Sequence, residues 1–141
     1  MNGLRFSQAF IPGLIAGILS IFTSWLWMGA VFHRFQKLTP GTWRRETGLS
    51  YFLSSALHIL AACGIAFLFT IVMSGEGRFF SPGIGGSIQF AFVCWSVFAL
   101  PIIVEDAVFI NLHPLVVLGR LLDWLSTSLL ATVLTAWWQR R

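Results

Sequence analysis

Apolar residues run in four long stretches along this chain, separated by shorter segments rich in polar residues and glycine. A stretch of about 20 predominantly apolar residues is long enough to cross a bilayer as an α-helix. The pattern therefore predicts four transmembrane helices, over residues 9–32, 49–73, 88–110 and 114–138. We expect an all-α protein in which these helices form an up-down bundle, a single transmembrane domain over residues 1–141, with the first span retained rather than cleaved.

Composition excludes a water-soluble domain. Of the 141 residues, 57% are hydrophobic and 10% are charged, whereas soluble domains contain about 45–50% apolar and about 25% charged residues. The net charge of +4 in so apolar a chain reflects loop residues that orient the spans and meet lipid headgroups, so no nucleic acid partner is expected. The expected partners are membrane lipids and other transmembrane helices, in a homo-oligomer or a hetero-complex.

Basic residues near the ends of the spans predict the orientation, because cytoplasmic loops carry an excess of Lys and Arg. The loop after the first span holds Arg34, Lys37, Arg44 and Arg45. The other side of the membrane would hold Arg5, Arg78, Arg140 and Arg141. We therefore expect the first loop in the cytoplasm and both termini outside.

Glycine and proline predict two irregularities. The connection over residues 74–87 contains six Gly or Pro residues, so we expect it to lack regular structure. Pro101 lies inside the third span, where it should kink the helix and free the carbonyl of Val97.

Small residues in the first span predict close helix packing. Gly13 and Gly17 form a GxxxG motif, and Ser20 and Ser24 continue the stripe of small residues toward the end of the span. Such a face lets a second backbone approach closely. The motif does not distinguish a neighbour in the same bundle from a helix of another subunit.

The predicted spans contain a cluster of ionisable residues: His58, Glu105, Asp106, Arg120 and Asp123. Each charge within the membrane costs about 2.5–3.5 kcal/mol, so these groups must be paired or hydrated. Asp106 and Arg120 each lie seven residues from the turn at His113, which places both about 10 Å from that turn on adjacent helices. The spacing predicts a bridge from Arg120 to Asp106 or to its neighbour Glu105.

Further contacts within this cluster follow from helix geometry. Arg120 and Asp123 are three residues apart and share a face, so Arg120 is expected to bridge acids on both helices. Glu105 and Asp106 differ by about 100° around the helix, so only one of them can face the fourth span. His58 lies about 13 Å into the second span, near the level of Asp123, where it can hydrogen-bond an acid.

The chemistry of the cluster has several possible meanings. It can fasten the helices together, form a proton or ion pathway, or use His58 as an axial ligand to haem or a chlorophyll-type pigment. A metal site of His58, Asp123 and Glu105 lacks the usual ligand spacing. We therefore predict no cofactor and no metal, with a pigment or haem at His58 as the alternative.

Several sequence segments resemble a known family. They are Trp25-Leu26-Trp27 before a short basic loop with Trp43, then Ala99-Leu100-Pro101, and the final tract from Pro114 to Trp138. Over nearly the whole chain the sequence resembles the bacterial membrane proteins of the domain of unknown function 1761 family. The resemblance implies four spans in a bacterial cytoplasmic membrane and an uncharacterised activity.

These patterns predict a membrane binding or structural protein, an accessory subunit or helix-bundle module of a larger assembly, with no catalysis of its own. One Arg among three acids neutralises itself more readily than it activates water, and no nucleophile, nucleotide or phosphate motif is present. The alternative is a small oligomeric transporter or a proton or ion conduit. Four helices with short loops are expected to leave little room for a cavity of about 300 Å³ or more.

Overall fold

The computed structural model describes residues 6–75, 79–81 and 83–141, and these residues form helices joined by short loops. Four helices are long and apolar enough to cross a membrane: α1 (Phe6–Val31), α2 (Gly48–Ser74), α3 (Ile84–Phe109) and α4 (Pro114–Trp138). The prediction of an all-α protein with four membrane-crossing helices is confirmed. Arg5 and Arg78, used above for the orientation, lie outside the described residues.

The helix bounds differ from the prediction mainly at two starts. α4 has the predicted range and α2 is longer by one residue at each end, whereas α1 and α3 begin earlier than expected. The prediction that residues 74–87 lack regular structure was wrong at its C-terminal end, because Gly85 and Gly86 belong to α3. Gly83, with a φ of 92°, makes the turn into this helix, and Gly86 leaves space for the Ser81 carbonyl.

Side chains cap the starts of α2 and α4. The Thr47 hydroxyl accepts a hydrogen bond from the Ser50 amide at 3.2 Å, and His113 Nδ1 accepts one from the Leu115 amide at 3.2 Å. These contacts satisfy backbone donors that the first helical turn leaves free. Pro114 follows His113 at the first position of α4, where the missing N–H costs least.

α1 and α2 pack through their backbones. A Cβ atom on Gly13 would lie 2.9 Å from Cys63 Cα, and one on Gly17 would lie 2.6 Å from Ile59 Cα. Ser20 is fully buried and donates to the carbonyl of Gly17 at 2.8 Å. The GxxxG face therefore lies inside the bundle, against α2, and we call this contact the α1/α2 seam.

Two helices contain π-helical segments that the sequence analysis did not predict, Trp25–Val31 in α1 and Trp95–Ala99 in α3. The Phe32 amide donates to the carbonyl of Trp27 at 2.8 Å, and the Leu100 amide donates to that of Trp95. The second segment ends just before Pro101, so the expected disturbance of α3 takes the form of a wide turn. π-helical turns are rare and are frequent at functional sites.

Indole groups from both π-helical segments bond to α4. Trp27 Nε1 donates to Ser126 Oγ at 3.0 Å, and Trp95 Nε1 donates to the carbonyl of Leu121 at 2.9 Å. Among the described residues, α3 packs along α4, and its contact with α2 is made by its N-terminal half, Ile84–Cys94. The C-terminal half of α3 therefore stands away from α2.

Loop contacts tie the helix ends together. Thr42, in the loop between α1 and α2, donates to the carbonyl of Asn111 between α3 and α4 at 3.0 Å. Gln139, just after α4, donates to Thr70 near the end of α2 at 2.8 Å. Near Thr70, an apolar core cluster joins α2, α3 and α4 through Phe69, Phe90, Cys94 and Ala136.

Candidate functional site

Asp123 is the point where three helices meet inside the bundle. Its residue surface is 4% exposed. Ser24 Oγ on α1 donates to Asp123 Oδ2 at 2.9 Å, and His58 Nε2 on α2 lies 3.3 Å from the same oxygen. Ser24 was predicted only as a helix-packing residue, and it makes this polar contact as well.

The contacts of His58 define how it meets Asp123. Its Nδ1 lies 2.9 Å from the carbonyl oxygen of Ser54, an acceptor only, so Nδ1 carries a proton and donates. Nε2 then faces Asp123 Oδ2, so the imidazole and the carboxyl group are partners of each other. Such pairing lowers the cost of burying two ionisable groups in an apolar bundle. The imidazole ring also stacks on Trp124, with centroids 5.1 Å apart.

Arg120 pairs with Asp106 across α3 and α4. Arg120 Nη1 lies 3.0 Å from Asp106 Oδ2, and the two side chains are 30% and 35% exposed. Their equal distance from the turn at His113 is the reason that the sequence could predict this contact. Glu105 lies on the exposed side of α3, as expected if only one of the two adjacent acids can face α4.

The second expected bridge, from Arg120 to Asp123, does not form among the described residues. Residues three apart on a helix differ by about 60° in direction. This difference lets Arg120 reach α3 while Asp123 faces α1 and α2, where Ser24 and His58 contact its carboxyl group.

One atom of this cluster has no hydrogen-bond partner in the part of the chain that the structure describes. It is Asp123 Oδ1, which is buried. A buried acceptor without a partner carries a desolvation cost of about 1–3 kcal/mol, more if it is charged. Nothing in the sequence indicates the burial of this oxygen, because it depends on which partners the other oxygen takes.

Two clefts lie beside the cluster. The first, which we call the polar cleft, has a volume of about 450 Å³ and includes His58, Asp123, Ser54, Thr42, Trp43 and Arg120 in its wall. The second, the apolar cleft, has a volume of about 460 Å³ and lies between α2, α3 and α4. A third cleft of about 350 Å³ also touches Ser24 and His58.

These volumes correct the expectation that the bundle has little room for a cavity. Small-molecule sites usually occupy about 300–1,000 Å³, and all three clefts fall within that range. The space of the apolar cleft arises because the C-terminal half of α3 is held on α4 and stands away from α2. The sequence could not show this, since it depends on the relative position of the helices.

The residues around His58 bear on the predicted absence of a cofactor or metal. Both ring nitrogens of His58 contact protein atoms, at Ser54 and Asp123. Axial ligation of a haem or pigment would require Nε2 to release Asp123. Within residues 6–75, 79–81 and 83–141, no three His, Cys, Asp or Glu side chains are grouped so that they could hold a metal ion.

Comparison with protein-family models, curated proteins and solved structures finds no match to this chain. The resemblance to the domain of unknown function 1761 family stays a prediction.

Proposed function

We propose that this chain is an integral membrane protein that binds other molecules and has no catalysis of its own, as a helix-bundle module of a larger assembly in a bacterial cytoplasmic membrane. The observation that carries this proposal is that the polar groups in the interior of the bundle join its helices to one another. Asp123 joins α1, α2 and α4 through Ser24 and His58, and Arg120 joins α3 to α4 through Asp106.

The same contacts argue against acid–base catalysis. A general acid and base need separated pKa values and access to a reacting group in a concave site. Here the imidazole and the carboxyl group are hydrogen-bonded to each other. The imidazole also bonds to Ser54 of its own helix, and the carboxyl group also bonds to Ser24 on α1. The apolar cleft, by contrast, offers a surface for binding within the membrane.

Two contacts support the up-down topology. The bond between Thr42 and Asn111 brings the α1–α2 loop and the α3–α4 turn to one end of the bundle. The bond between Gln139 and Thr70 brings the end of α4 to the end of α2. With the basic loop in the cytoplasm, Lys37→Cys and Gly75→Cys should react with impermeant maleimides from opposite sides of the membrane, and reaction from one side would refute this topology.

The distribution of polar and apolar groups favours binding over conduction. His58, Asp123 and Arg120 line a cleft that also includes Thr42 and Trp43 of the α1–α2 loop. Toward the other end of the helices, the described interior combines the apolar cluster around Phe69 and Phe90 with the buried residues Thr127, Thr132 and Thr135. The hydroxyl groups of these three residues donate to carbonyls of α4 itself. A proton or ion pathway would have to pass this apolar cluster and hydroxyl groups that are already bonded.

A single preparation of the full chain tests the proposal. We expect native mass spectrometry in mild detergent to show the 15.7 kDa chain with bound lipid or with further transmembrane chains at fixed stoichiometry. Proteoliposomes should take up protons no faster than protein-free vesicles, and the absorption spectrum should show no pigment. Proton flux or substrate turnover that His58→Ala abolishes without changing the assembly would overturn the proposal.

A further inference from the structure

We propose that the loop between α1 and α2 binds the head groups of anionic phospholipids at the membrane surface. We call residues 32–47 the basic loop, because they contain four of the nine Lys and Arg residues in the sequence: Arg34, Lys37, Arg44 and Arg45. This inference rests on the proposed function in one respect, that the chain acts by binding, and it names the class of lipid and the residues that bind it.

The four cationic side chains of the basic loop are exposed. Within the part of the chain that the structure describes, no ion pair involves any of them. Glu46 is the acid of this loop, but its carboxyl group lies 3.8 Å from His33 Nδ1 and accepts a hydrogen bond from Tyr51. The basic loop therefore presents positive charge that no acid of the described chain compensates.

The basic loop has a defined conformation and is held on the turn between α3 and α4. It contains a short helix, His33–Gln36, and a 3-10 turn, Pro40–Thr42. The ring of Phe35 stacks on that of His113, with centroids 5.2 Å apart, and the 3-10 turn bonds to the carbonyl of Asn111. Because the backbone that carries the cations is already ordered, binding a ligand costs less conformational entropy.

The two arginines after α4 have different surroundings. The guanidinium carbon of Arg141 lies 3.5 Å from the centroid of the Trp137 ring, and Arg140 packs against Gly83 at the start of α3. In the basic loop, Arg34 has a comparable contact with the ring of the next residue, at 4.8 Å. The pair after α4 is thus engaged with the chain itself, and it provides a matched control for the removal of two charges.

Charge and position identify the partner. A lipid phosphate carries a negative charge and several acceptor oxygens, whereas Lys and Arg side chains are donors only. The basic loop joins two helices that are long enough to cross a membrane, so it lies at the level of the lipid heads. Leu38, next to Lys37, is 62% exposed, and an apolar side chain among cations is typical of a surface that contacts lipid heads and the adjoining hydrocarbon.

Native mass spectrometry of the full chain, released from nanodiscs with equal amounts of phosphatidylglycerol and phosphatidylcholine, tests this site. The two lipids have the same acyl chains, and their heads are anionic and zwitterionic. We expect phosphatidylglycerol to exceed phosphatidylcholine among the lipids that stay bound. Both faces of a nanodisc carry the same lipids, so the direction of insertion does not affect this measurement.

A pair of double variants tests the position of the site. Each Lys or Arg near an anionic surface changes binding about fivefold, so Arg44→Gln with Arg45→Gln should lower the preference for phosphatidylglycerol at least about fivefold. Arg140→Gln with Arg141→Gln removes the same charge at the opposite membrane surface, about 30 Å away, and should leave the preference unchanged. Equal losses in the two double variants would reflect net charge alone and would refute the basic loop as the site.

Salt provides a second measurement. Raising ammonium acetate from about 0.1 to about 1 M shortens the Debye length from about 10 to about 3 Å. The preference of the parent chain should therefore fall with salt, toward the value of the variant that lacks Arg44 and Arg45. A parent chain without a preference, or with one that salt does not change, would overturn the inference.

The outcomes separate this inference from the proposed function. If the variant that lacks Arg44 and Arg45 keeps its lipid preference but loses a partner chain, the basic loop binds an acidic protein surface, so the inference fails while the proposed function stands. Proton flux that His58→Ala abolishes would overturn the proposed function without changing the lipid preference, which decides the inference by itself.

Discussion

α2 meets α1 and α3 in very different ways. On the face toward α1, a Cβ atom on Gly17 would lie 2.6 Å from Ile59 Cα; on the face toward α3, a Cβ atom on Gly64 would meet nothing within 4 Å. Small residues are present in both places, in the α1/α2 seam and on the face of α2 toward α3. Small residues therefore permit close packing of two helices. Whether α3 packs closely on α2 depends on where α3 is attached.

The attachment of α3 to α4 explains why the face of α2 toward α3 is open. Trp95 bonds to the backbone of α4, and Asp106 bonds to Arg120, so two successive parts of α3 are fixed to α4. In the C-terminal segment of α3, Leu100–Phe109, Ile103 is the buried residue. α1, by contrast, lies directly on α2 through Gly13 and Gly17.

The largest expected effect comes from blocking the α1/α2 seam. Gly17→Leu should destabilise the fold by about 3 kcal/mol, the upper part of the usual range for overpacking, because the new side chain meets the backbone of α2. Unfolding in mixed micelles with increasing denaturing detergent measures the change. Gly64→Leu is the control and should stay within about 0.5 kcal/mol of the parent. Equal stability of the two variants would mean that the seam is not close-packed.

A smaller effect should follow from releasing α3. Breaking a fully buried ion pair costs about 3–5 kcal/mol, but Arg120 and Asp106 are about one third exposed. Arg120→Ala should therefore lower the free energy of unfolding by about 2 kcal/mol. This is less than the value for a fully buried pair, because partial solvation weakens the interaction. The same unfolding assay measures it. Adding Asp106→Asn should restore part of the loss, because it removes the unpaired charge, and a double variant no more stable than the single one would contradict the pairing.

The smallest effect should have the opposite sign. Gly64→Ala adds a methyl group in open space and removes backbone freedom from the unfolded chain, so we expect a gain of about 0.5–1 kcal/mol. At Gly13, the same change should destabilise, because its Cβ atom would lie 2.9 Å from Cys63 Cα. Paired melting curves of the two variants test this difference in sign, and a loss at Gly64 would show that the cleft is closed.

Much of the fold could be predicted from sequence because its signals are local. The apolar stretches predicted the four helices, and the spacing from the turn at His113 predicted a contact of Arg120 with Asp106 or Glu105. The similar depth of His58 and Asp123 also predicted that His58 could hydrogen-bond an acid there. The clefts and the contact of Asp123 with Ser24 could not be predicted in this way. They depend on the rotation of α4, which directs Arg120 to α3 and Asp123 to Ser24 and His58.

The π-helical segment of α3 also has a consequence for chain length. A π turn closes its hydrogen bond over one more residue than an α turn, so Trp95–Ala99 absorbs a residue that a regular helix would not need. An insertion in a regular helix would rotate every later residue by about 100°. The π-helical turn confines the extra residue to Trp95–Ala99. Phe90, which precedes the turn, can therefore stay in the apolar core while Asp106, which follows it, still faces Arg120.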